Sequence, residues 1–262
     1  MNAFAAGWQD VLTGWRSSHA WGTLAWDDIA SRYRRTLLGP IWLTLSHALW
    51  VFGMAYVFSQ IFKTPFADYT LYMAAGLTIW MFLSGCLADA PMVFVRASNF
   101  IQSYDLAISI HAFRLVASHL TMFAHYMLVV AIAYVVSATP LSWNILWFLP
   151  ACAIVLVACT GIVFLLGVLG ARFRDVGPAI GSLLTLAMLI TPIFWRKTDL
   201  PADSPLLVFN PLHHLIEICR APLMGQSPDL GHWQLAGASA VLLLAAGLLL
   251  FSRYRRSLPF WI

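Results

Sequence analysis

The sequence predicts an all-α protein that crosses a membrane several times, and its composition and charge distribution support this prediction. The chain has 262 residues, of which 61% are hydrophobic and only 10% are charged, and its mean hydropathy is +0.79. Soluble domains contain about 45–50% apolar and about 25% charged residues. The composition therefore excludes an ordinary soluble enzyme, a disordered chain and a water-soluble protein that binds nucleic acid.

Six apolar intervals predict six transmembrane helices. A helix needs roughly 20 apolar residues to cross the hydrocarbon, because its backbone polar groups must pair within the helix. No charged residue lies between Arg114 and Arg172, and the segment TPLS divides this long interval into two spans. We predict spans at 41–61, 69–88, 115–137, 145–170, 176–195 and 235–252. These spans form a transmembrane domain over 41–252, with an outer segment at 196–234.

The basic residues predict which side of the membrane each segment faces. With the N-terminus inside, eleven Arg residues lie in cytoplasmic segments, and four basic residues, Lys63, Arg196, Lys197 and Arg220, lie outside. Cytoplasmic loops carry an excess of Lys and Arg, so we expect segment 1–40 and tail 253–262 to be cytoplasmic. No basic region precedes a short apolar core at the start of the chain, so we expect no cleavable signal peptide.

The segment before the first span predicts an amphipathic helix at the inner membrane interface. Its apolar residues recur at helical spacing, at Trp26, Ile29, Tyr33 and Leu37. Asp28 and Arg32 lie four residues apart on another face, and Gly39-Pro40 ends the element. The alternative is a plain basic flank of the first span.

Two further cytoplasmic segments could contact a partner. In the loop 89–114, Phe100, Ile101 and Tyr104 alternate with polar residues such as Asn99. The pattern fits either a short helix parallel to the membrane, suited to a cleft in a soluble partner, or a covered loop. The sequence RFRDV at 172–176 predicts a compact polar cluster at the inner surface.

The outer segment predicts a short helix that dips into the membrane. Asn210 is a candidate N-cap and Pro211 occupies the first helical position. An apolar stripe follows and Gly225 ends it, with His213, Glu217 and Arg220 on the opposite face. Such a segment is tolerated only against protein or a water-filled path, so it could act as a gate or lid.

Several kinds of catalytic chemistry have no support in the sequence. Neither lysine lies in the Gly-Lys-Ser/Thr pattern of a nucleotide-binding loop, and no metalloprotease or serine-hydrolase motif occurs. His213, His214 and Glu217 resemble metal ligands, but no third partner lies near them in sequence, and a capped helix with a polar face explains them better. We therefore expect no catalytic residue, cofactor or metal on this chain.

Aromatic residues are abundant in the first two spans. The candidates for lining a path are Trp42, Trp50, Tyr56, Phe58, Tyr72 and Trp80. Their planes could stack on sugar rings, or they could serve as interfacial belts and packing.

Several separated motifs together resemble the permeases of type-2 ABC exporters, in particular those that move O-antigen, capsule or teichoic-acid polymers. The motifs are RYRRTLLGPIW at 32–42, RFRDV at 172–176, TPIF at 191–194 and the segment from Asn210 to Arg220. They occur in order across most of the chain. The sequence departs from many relatives in the coupling stretch, where Ser103 and Ala107 replace a Lys and a Pro.

The resemblance implies a homodimer in the bacterial cytoplasmic membrane that pairs with two cytoplasmic ATPase subunits. The partners would bind ATP and Mg²⁺ and drive lipid-linked polysaccharide to the periplasmic side. The resemblance implies an interface helix that contains Arg32, Tyr33, Arg34 and Arg35. It implies coupling to the ATPase by Asn99, Phe100, Ile101, Tyr104, Arg172, Arg174 and Asp175. It also implies an outer gate that contains Asn210, Pro211, His213, Glu217 and Arg220. The aromatic residues named above would line the channel. The alternatives are an exporter of a small lipid or drug and an integral-membrane enzyme such as a lipid or sugar transferase.

Overall fold

A computed structural model describes residues 3–34, 36–201 and 203–262, and these residues form helices joined by short connections. In chain order the α-helices are α1 (Ala3–Arg16), α2 (Ser18–Tyr33), α3 (Ile41–Ile61), α4 (Phe66–Asp89), α5 (Val93–Arg96), α6 (Ser98–Ser103), α7 (Ile110–Ser137), α8 (Phe148–Arg172), α9 (Val176–Ile190), α10 (Pro205–Val208), α11 (Pro211–Leu223), α12 (Leu230–Tyr254) and α13 (Leu258–Trp261). Three short 3₁₀ helices complete them, at Ala90–Met92, Trp143–Trp147 and Lys197–Asp199. The all-helical membrane fold predicted from the sequence is confirmed.

The count of six spans stays a prediction. Within the described ranges, five helical stretches, built around α3, α4, α7, α8 and α12, are long and apolar enough to cross a membrane. The remaining apolar helix, α9, has 15 residues, which is about 22 Å at 1.5 Å per residue. The hydrocarbon core is about 30 Å thick. The chain is therefore a multi-pass membrane protein whose described residues include five helices of spanning length and one shorter apolar helix.

The short length of α9 follows from a proline. The sequence predicts the fifth span over 176–195, but α9 ends at Ile190, and Thr191 is extended with φ −89° and ψ 136°. Thr191 precedes Pro192, whose ring disfavours the α conformation of the residue before it. The chain after Ile190 therefore turns away from a helical path and leads into the outer segment.

Helix α4 lies at the centre of the fold. It packs against α3, α7, α8 and α11, and its residues from Tyr69 to Trp80 are all buried. Helices α8 and α12 pack closely because each contributes a glycine to the contact. A Cβ atom on Gly161 would lie 2.4 Å from the backbone of Leu243, and one on Gly247 would lie 2.3 Å from the carbonyl oxygen of Gly161. Small residues allow such close approach of helices in membranes.

The N-terminal helix α1 was not identified from the sequence. Its Asp10 carboxylate accepts hydrogen bonds from the backbone N–H groups of Ile108 and Ser109, at 3.1 and 2.9 Å. It also pairs with Arg255 Nε at 2.8 Å. Asp10 thus joins α1 to the start of α7 and to the end of α12. These three segments lie at one end of the helical bundle, the end predicted to face the cytoplasm.

Candidate functional site

A charged cavity lies between α2, α7 and the end of α4, and we call it the inner pocket. Its volume is about 220 Å³. The charged or titratable side chains that line it are Asp28, Arg32, Asp89, Arg96, Arg114, His111 and His119. Three arginines and two aspartates give the inner pocket a formal excess of one positive charge when its histidines are neutral.

Two of the three arginines in the inner pocket are paired with carboxylates. The Arg114 guanidinium donates to both carboxylate oxygens of Asp28, and its Nε lies 2.7 Å from Oδ2. Arg96 Nη1 lies 2.8 Å from Asp89 Oδ1. Arg32 donates only a long contact of 3.9 Å to the Met122 sulfur and makes no salt bridge within the described part of the chain. Arg32 is thus the cation of the inner pocket that is available to an anionic group.

The predicted interface helix ends earlier than the sequence pattern indicates. Arg32 and Tyr33 lie in its last turn, Arg34 follows the helix, and Leu37 is fully exposed. The hydroxyls of Ser31 and Thr36 donate to backbone carbonyls three residues earlier, and such local bonds compete with continuation of a helix. The helical face predicted to include Leu37 therefore ends at Tyr33. Arg35 lies outside the described residues.

The predicted coupling stretch is a short helix, which settles the choice between a helix and a covered loop. Helix α6 contains Asn99, Phe100 and Ile101, and Tyr104 follows it in an extended conformation. The rings of Phe100 and Tyr104 lie 4.7 Å apart and are exposed. The segment therefore offers an aromatic pair at the surface predicted to face the cytoplasm.

The C-terminal helix α13 connects this segment to the second predicted coupling element. Gln102 Nε2 donates to the backbone oxygen of Ile262 at 3.2 Å, and Arg174 Nη2 donates to that of Trp261 at 3.2 Å. The Arg172 guanidinium lies 5.2 Å from the Trp261 ring. We call α6, residues 172–175 and α13 together the coupling surface. Arg172, Arg174 and Asp175 are all exposed on it.

Sequence reasoning missed the contribution of α13. Its signal is the apolar segment Leu258-Pro259-Phe260-Trp261 directly after the basic residues that follow the last span. An aromatic segment next to basic residues is typical of a membrane interface, but nothing in that pattern indicates contact with residues 87 and 160 positions earlier in the chain.

Helix α11 begins as the sequence predicts. Asn210 Oδ1 accepts hydrogen bonds from the backbone N–H groups of Leu212 and His213, at 3.1 and 3.3 Å, and Pro211 occupies the first turn. Asn210 Nδ2 also donates to Thr191 Oγ1 at 2.9 Å. Asn210 therefore ties the start of α11 to the end of α9.

The polar residues that the sequence places opposite the apolar stripe of α11 are buried. His213, Glu217 and Arg220 are 1%, 4% and 2% exposed, because α11 packs against α4, α8 and α12. Glu217 forms salt bridges with two basic side chains: Arg220 Nη2 lies 2.5 Å from its Oε2, and Lys197 Nζ lies 2.7 Å from its Oε1. Arg220 Nη1 also donates to the backbone oxygen of Pro192 at 2.6 Å.

The environment of α11 shifts the protonation of two of these groups. Burial alone would raise the pKa of Glu217, but the charge of Arg220 and the hydrogen bond from Lys197 outweigh it, and the pKa is lowered. Burial lowers the pKa of His213 to about 3. At neutral pH Glu217 is therefore ionised and His213 is neutral.

The six candidate channel aromatics do not form one surface in a single chain. Tyr72 and Trp80 are buried, whereas Trp42, Trp50 and Tyr56 are exposed on α3. Phe58 stacks on Phe194 with ring centroids 5.2 Å apart.

Tyr72 belongs to the charged cluster of α11. Its hydroxyl donates to the backbone oxygen of Trp195 at 2.6 Å, and the Arg220 guanidinium lies 4.3 Å from its ring centroid. We call Tyr72, Arg196, Lys197, Glu217 and Arg220 the outer cluster. These residues line a cavity of about 140 Å³.

Comparisons with known proteins agree with this architecture. The family model of the ABC-2 type transporter matches residues 19–224. The chain is 22% identical over 232 residues to the O-antigen export system permease protein RfbA of Klebsiella pneumoniae, covering 87% of this chain and 89% of that protein. It is 24% identical over 234 residues to the protein of the same name from Myxococcus xanthus, covering 86% and 89%. Because the family model spans well over half of its length, the chain belongs to the ABC-2 type transporter family.

Proposed function

We propose that the chain is the membrane-spanning permease subunit of an ABC exporter that moves lipid-linked polysaccharide, of O-antigen or capsule type, from the cytoplasmic to the periplasmic side. The observation that carries this proposal is the alignment with two O-antigen export permeases along almost the whole chain. The fold supports it, because a multi-pass helical domain with buried polar groups at one end is suited to a gated path.

ATP hydrolysis in this proposal takes place on a separate subunit. Membership of the ABC-2 type transporter family implies an ABC ATPase partner. The only two lysines of the chain are Lys63 and Lys197, and neither lies in a nucleotide-binding motif. The coupling surface supplies a docking place for the ATPase, with the exposed aromatic pair of α6 beside Arg172 and Arg174.

The assembly is a homodimer with two ATPase subunits. Helix α9 has no buried residue, and its leucines at 183, 186 and 189 are exposed. In a membrane this apolar face contacts lipid or a second copy of the chain. The membrane is the bacterial cytoplasmic membrane, and both termini face the cytoplasm, in keeping with the contact of α1 and the end of α12 through Asp10.

The inner pocket receives the phosphate end of the lipid-linked substrate. Among the described residues Arg32 makes no salt bridge, and guanidinium groups bind phosphate oxygens through paired N–H donors. The aromatic residues Trp42, Trp50 and Tyr56 remain exposed on α3, where they can contact sugar rings or the partner subunit. The outer cluster closes the far end of the path.

The proposal is tested in cells and by purification. Deletion of the chain is expected to abolish surface polysaccharide and to leave lipid-linked polysaccharide in the inner leaflet, and co-expression with its ABC ATPase partner is expected to give a stable complex. An exporter of a small lipid or drug predicts normal surface polysaccharide in the deletion strain. A membrane enzyme predicts loss of a covalent product without accumulation of finished lipid-linked polymer.

A further inference from the structure

Three histidines meet at the outer end of the molecule. His213 and His214 lie in the first turn of α11, and His232 lies in the first turn of α12. Each offers a ring nitrogen, and these nitrogens lie within 4.8 Å of one another. His213 and His214 have no third ligand near them in sequence, because His232 follows 18 residues after His214 and belongs to another helix.

The hydrogen bonds of His214 leave one of its nitrogens suited to a metal. Its Nε2 lies 3.0 Å from the backbone oxygen of Val208. A carbonyl oxygen only accepts hydrogen bonds, so Nε2 carries the proton and Nδ1 has a lone pair, which accepts a hydrogen bond from His232 and becomes available to a metal when that bond is replaced. This Nδ1 lies 2.8 Å from His232 Nδ1. Metal-binding histidines usually donate their other N–H to a carbonyl or carboxylate in this way.

His213 carries a polar atom that no neighbour satisfies. It is buried, and its Nδ1 has no hydrogen-bond partner among the described residues. Buried polar atoms normally find a partner. The unpartnered Nδ1 of His213 is therefore available to a bound cation.

The cluster borders a cavity that has room for a further ligand. The three histidines line a cavity of about 450 Å³ together with Lys197 and Asp229. Lys197 lies 2.7 Å from Glu217, a carboxylate that it shares with Arg220, and Asp229 adds a second carboxylate to the cavity wall. A cation bound by the three histidines would therefore keep an open coordination position toward the cavity.

We propose that His213, His214 and His232 form a binding site for a divalent transition-metal ion of the zinc type. Three imidazoles with one open position are a common ligand set for Zn²⁺, and imidazole nitrogen suits Zn²⁺, Cu²⁺ and Ni²⁺ better than Ca²⁺ or Mg²⁺. Ligand nitrogens around tetrahedral Zn²⁺ lie roughly 3.3 Å apart. The Nδ1 atoms of His214 and His232 therefore need to separate by only about half an ångström.

A bound metal ion would link the start of α11 to the start of α12. The two helices would then be connected both by the loop between them and by the metal ion. This second connection would restrain the movement of α11 against α12. The site stands on its own geometry and does not depend on the proposed function.

Direct metal binding by the purified full-length chain tests the proposal. The chain is prepared in detergent with an affinity tag free of histidine, stripped with a chelator and titrated with Zn²⁺, and with Co²⁺ as a spectroscopic probe. We expect one Zn²⁺ per chain, visible Co²⁺ absorption bands typical of tetrahedral coordination, and a higher thermal unfolding temperature with Zn²⁺. His213→Gln and His232→Gln should abolish these effects, whereas the control His125→Gln, in α7, should retain them.

A ligand exchange keeps the test valid if a glutamine variant fails to fold. His232→Cys should still bind Co²⁺ and should add an intense thiolate-to-metal absorption band. Absence of saturable binding by the wild-type chain, or equal binding by the variant with all three histidines replaced by glutamine, would overturn the proposal. The hydrogen bond between the Nδ1 atoms of His214 and His232 would then be the only polar link within the cluster that the structure describes.

Discussion

The ion pair between Glu217 and Arg220 can be tested with Glu217→Gln, which removes the carboxylate charge and keeps the shape. Both partners are almost completely buried and lie 2.5 Å apart, and removal of one partner from a buried pair costs about 3–5 kcal/mol. Because glutamine retains one carbonyl acceptor for the guanidinium, we expect the lower end, about 3 kcal/mol. At about 2–4 °C per kcal/mol, this corresponds to a fall in the unfolding temperature of roughly 6–12 °C.

Thermal unfolding of the purified chain at neutral pH measures this effect. Asp203→Asn is the matched control, because Asp203 is exposed and a surface change of this kind is worth within about 0.5 kcal/mol. The double variant Glu217→Gln with Arg220→Gln should lose less than the sum of the two single variants by at least about 0.5 kcal/mol, because the two residues interact directly. An unfolding temperature of Glu217→Gln equal to that of Asp203→Asn, or simple additivity, would refute the reasoning.

Three further predictions concern packing, substrate binding and pH. Gly161→Ala should destabilise the chain by about 1–3 kcal/mol in thermal unfolding, because the new Cβ meets the α12 backbone. The control Gly53→Ala should be neutral, because Gly53 has open space around it. Equal destabilisation by the two variants would contradict the close packing of α8 against α12. Arg32→Gln should lower polysaccharide export about tenfold or more, because it removes a charge-assisted contact with phosphate. The control Arg16→Gln should leave export unchanged. Unchanged export by the Arg32→Gln variant would exclude Arg32 from substrate binding. The pKa of His213 falls from 6.5 to about 3 on folding, so the unfolded chain binds more protons than the folded chain between these pH values. The free energy of unfolding should therefore fall as the pH drops below about 6.5. His213→Gln should flatten this pH dependence of stability, and an unchanged dependence in the variant would contradict the prediction.

The long helices could be predicted from the sequence because hydrophobic length and charge-free intervals determine them. The first predicted span, 41–61, coincides with α3, and the others differ mainly at their ends. Helices α4, α7 and α12 extend past the predicted limits, because helical geometry continues beyond the residues that a membrane span needs. Helix α8 begins three residues later than predicted, and α9 ends five residues early because Pro192 disfavours a helical conformation at Thr191.

The tertiary environment of the polar residues could not be predicted in the same way. The N-cap Asn210 was recognisable because its role depends on the two residues that follow it. The burial of Glu217 and Arg220 was not, because it depends on helices that pack around α11 from distant parts of the chain. The same applies to Asp10, whose partners lie about a hundred and about two hundred and fifty residues away, and to His232 beside His214.

Reconstitution of transport tests the central claim most directly. The purified chain, with and without its partner ATPase, is placed in vesicles loaded with lipid-linked polysaccharide, and ATP-dependent movement of the glycan across the bilayer is measured by its accessibility to an added glycosidase. We predict ATP-dependent movement only when both subunits are present. Movement at the same rate by the chain alone, or covalent conversion of the substrate by the chain without an ATPase, would contradict the account.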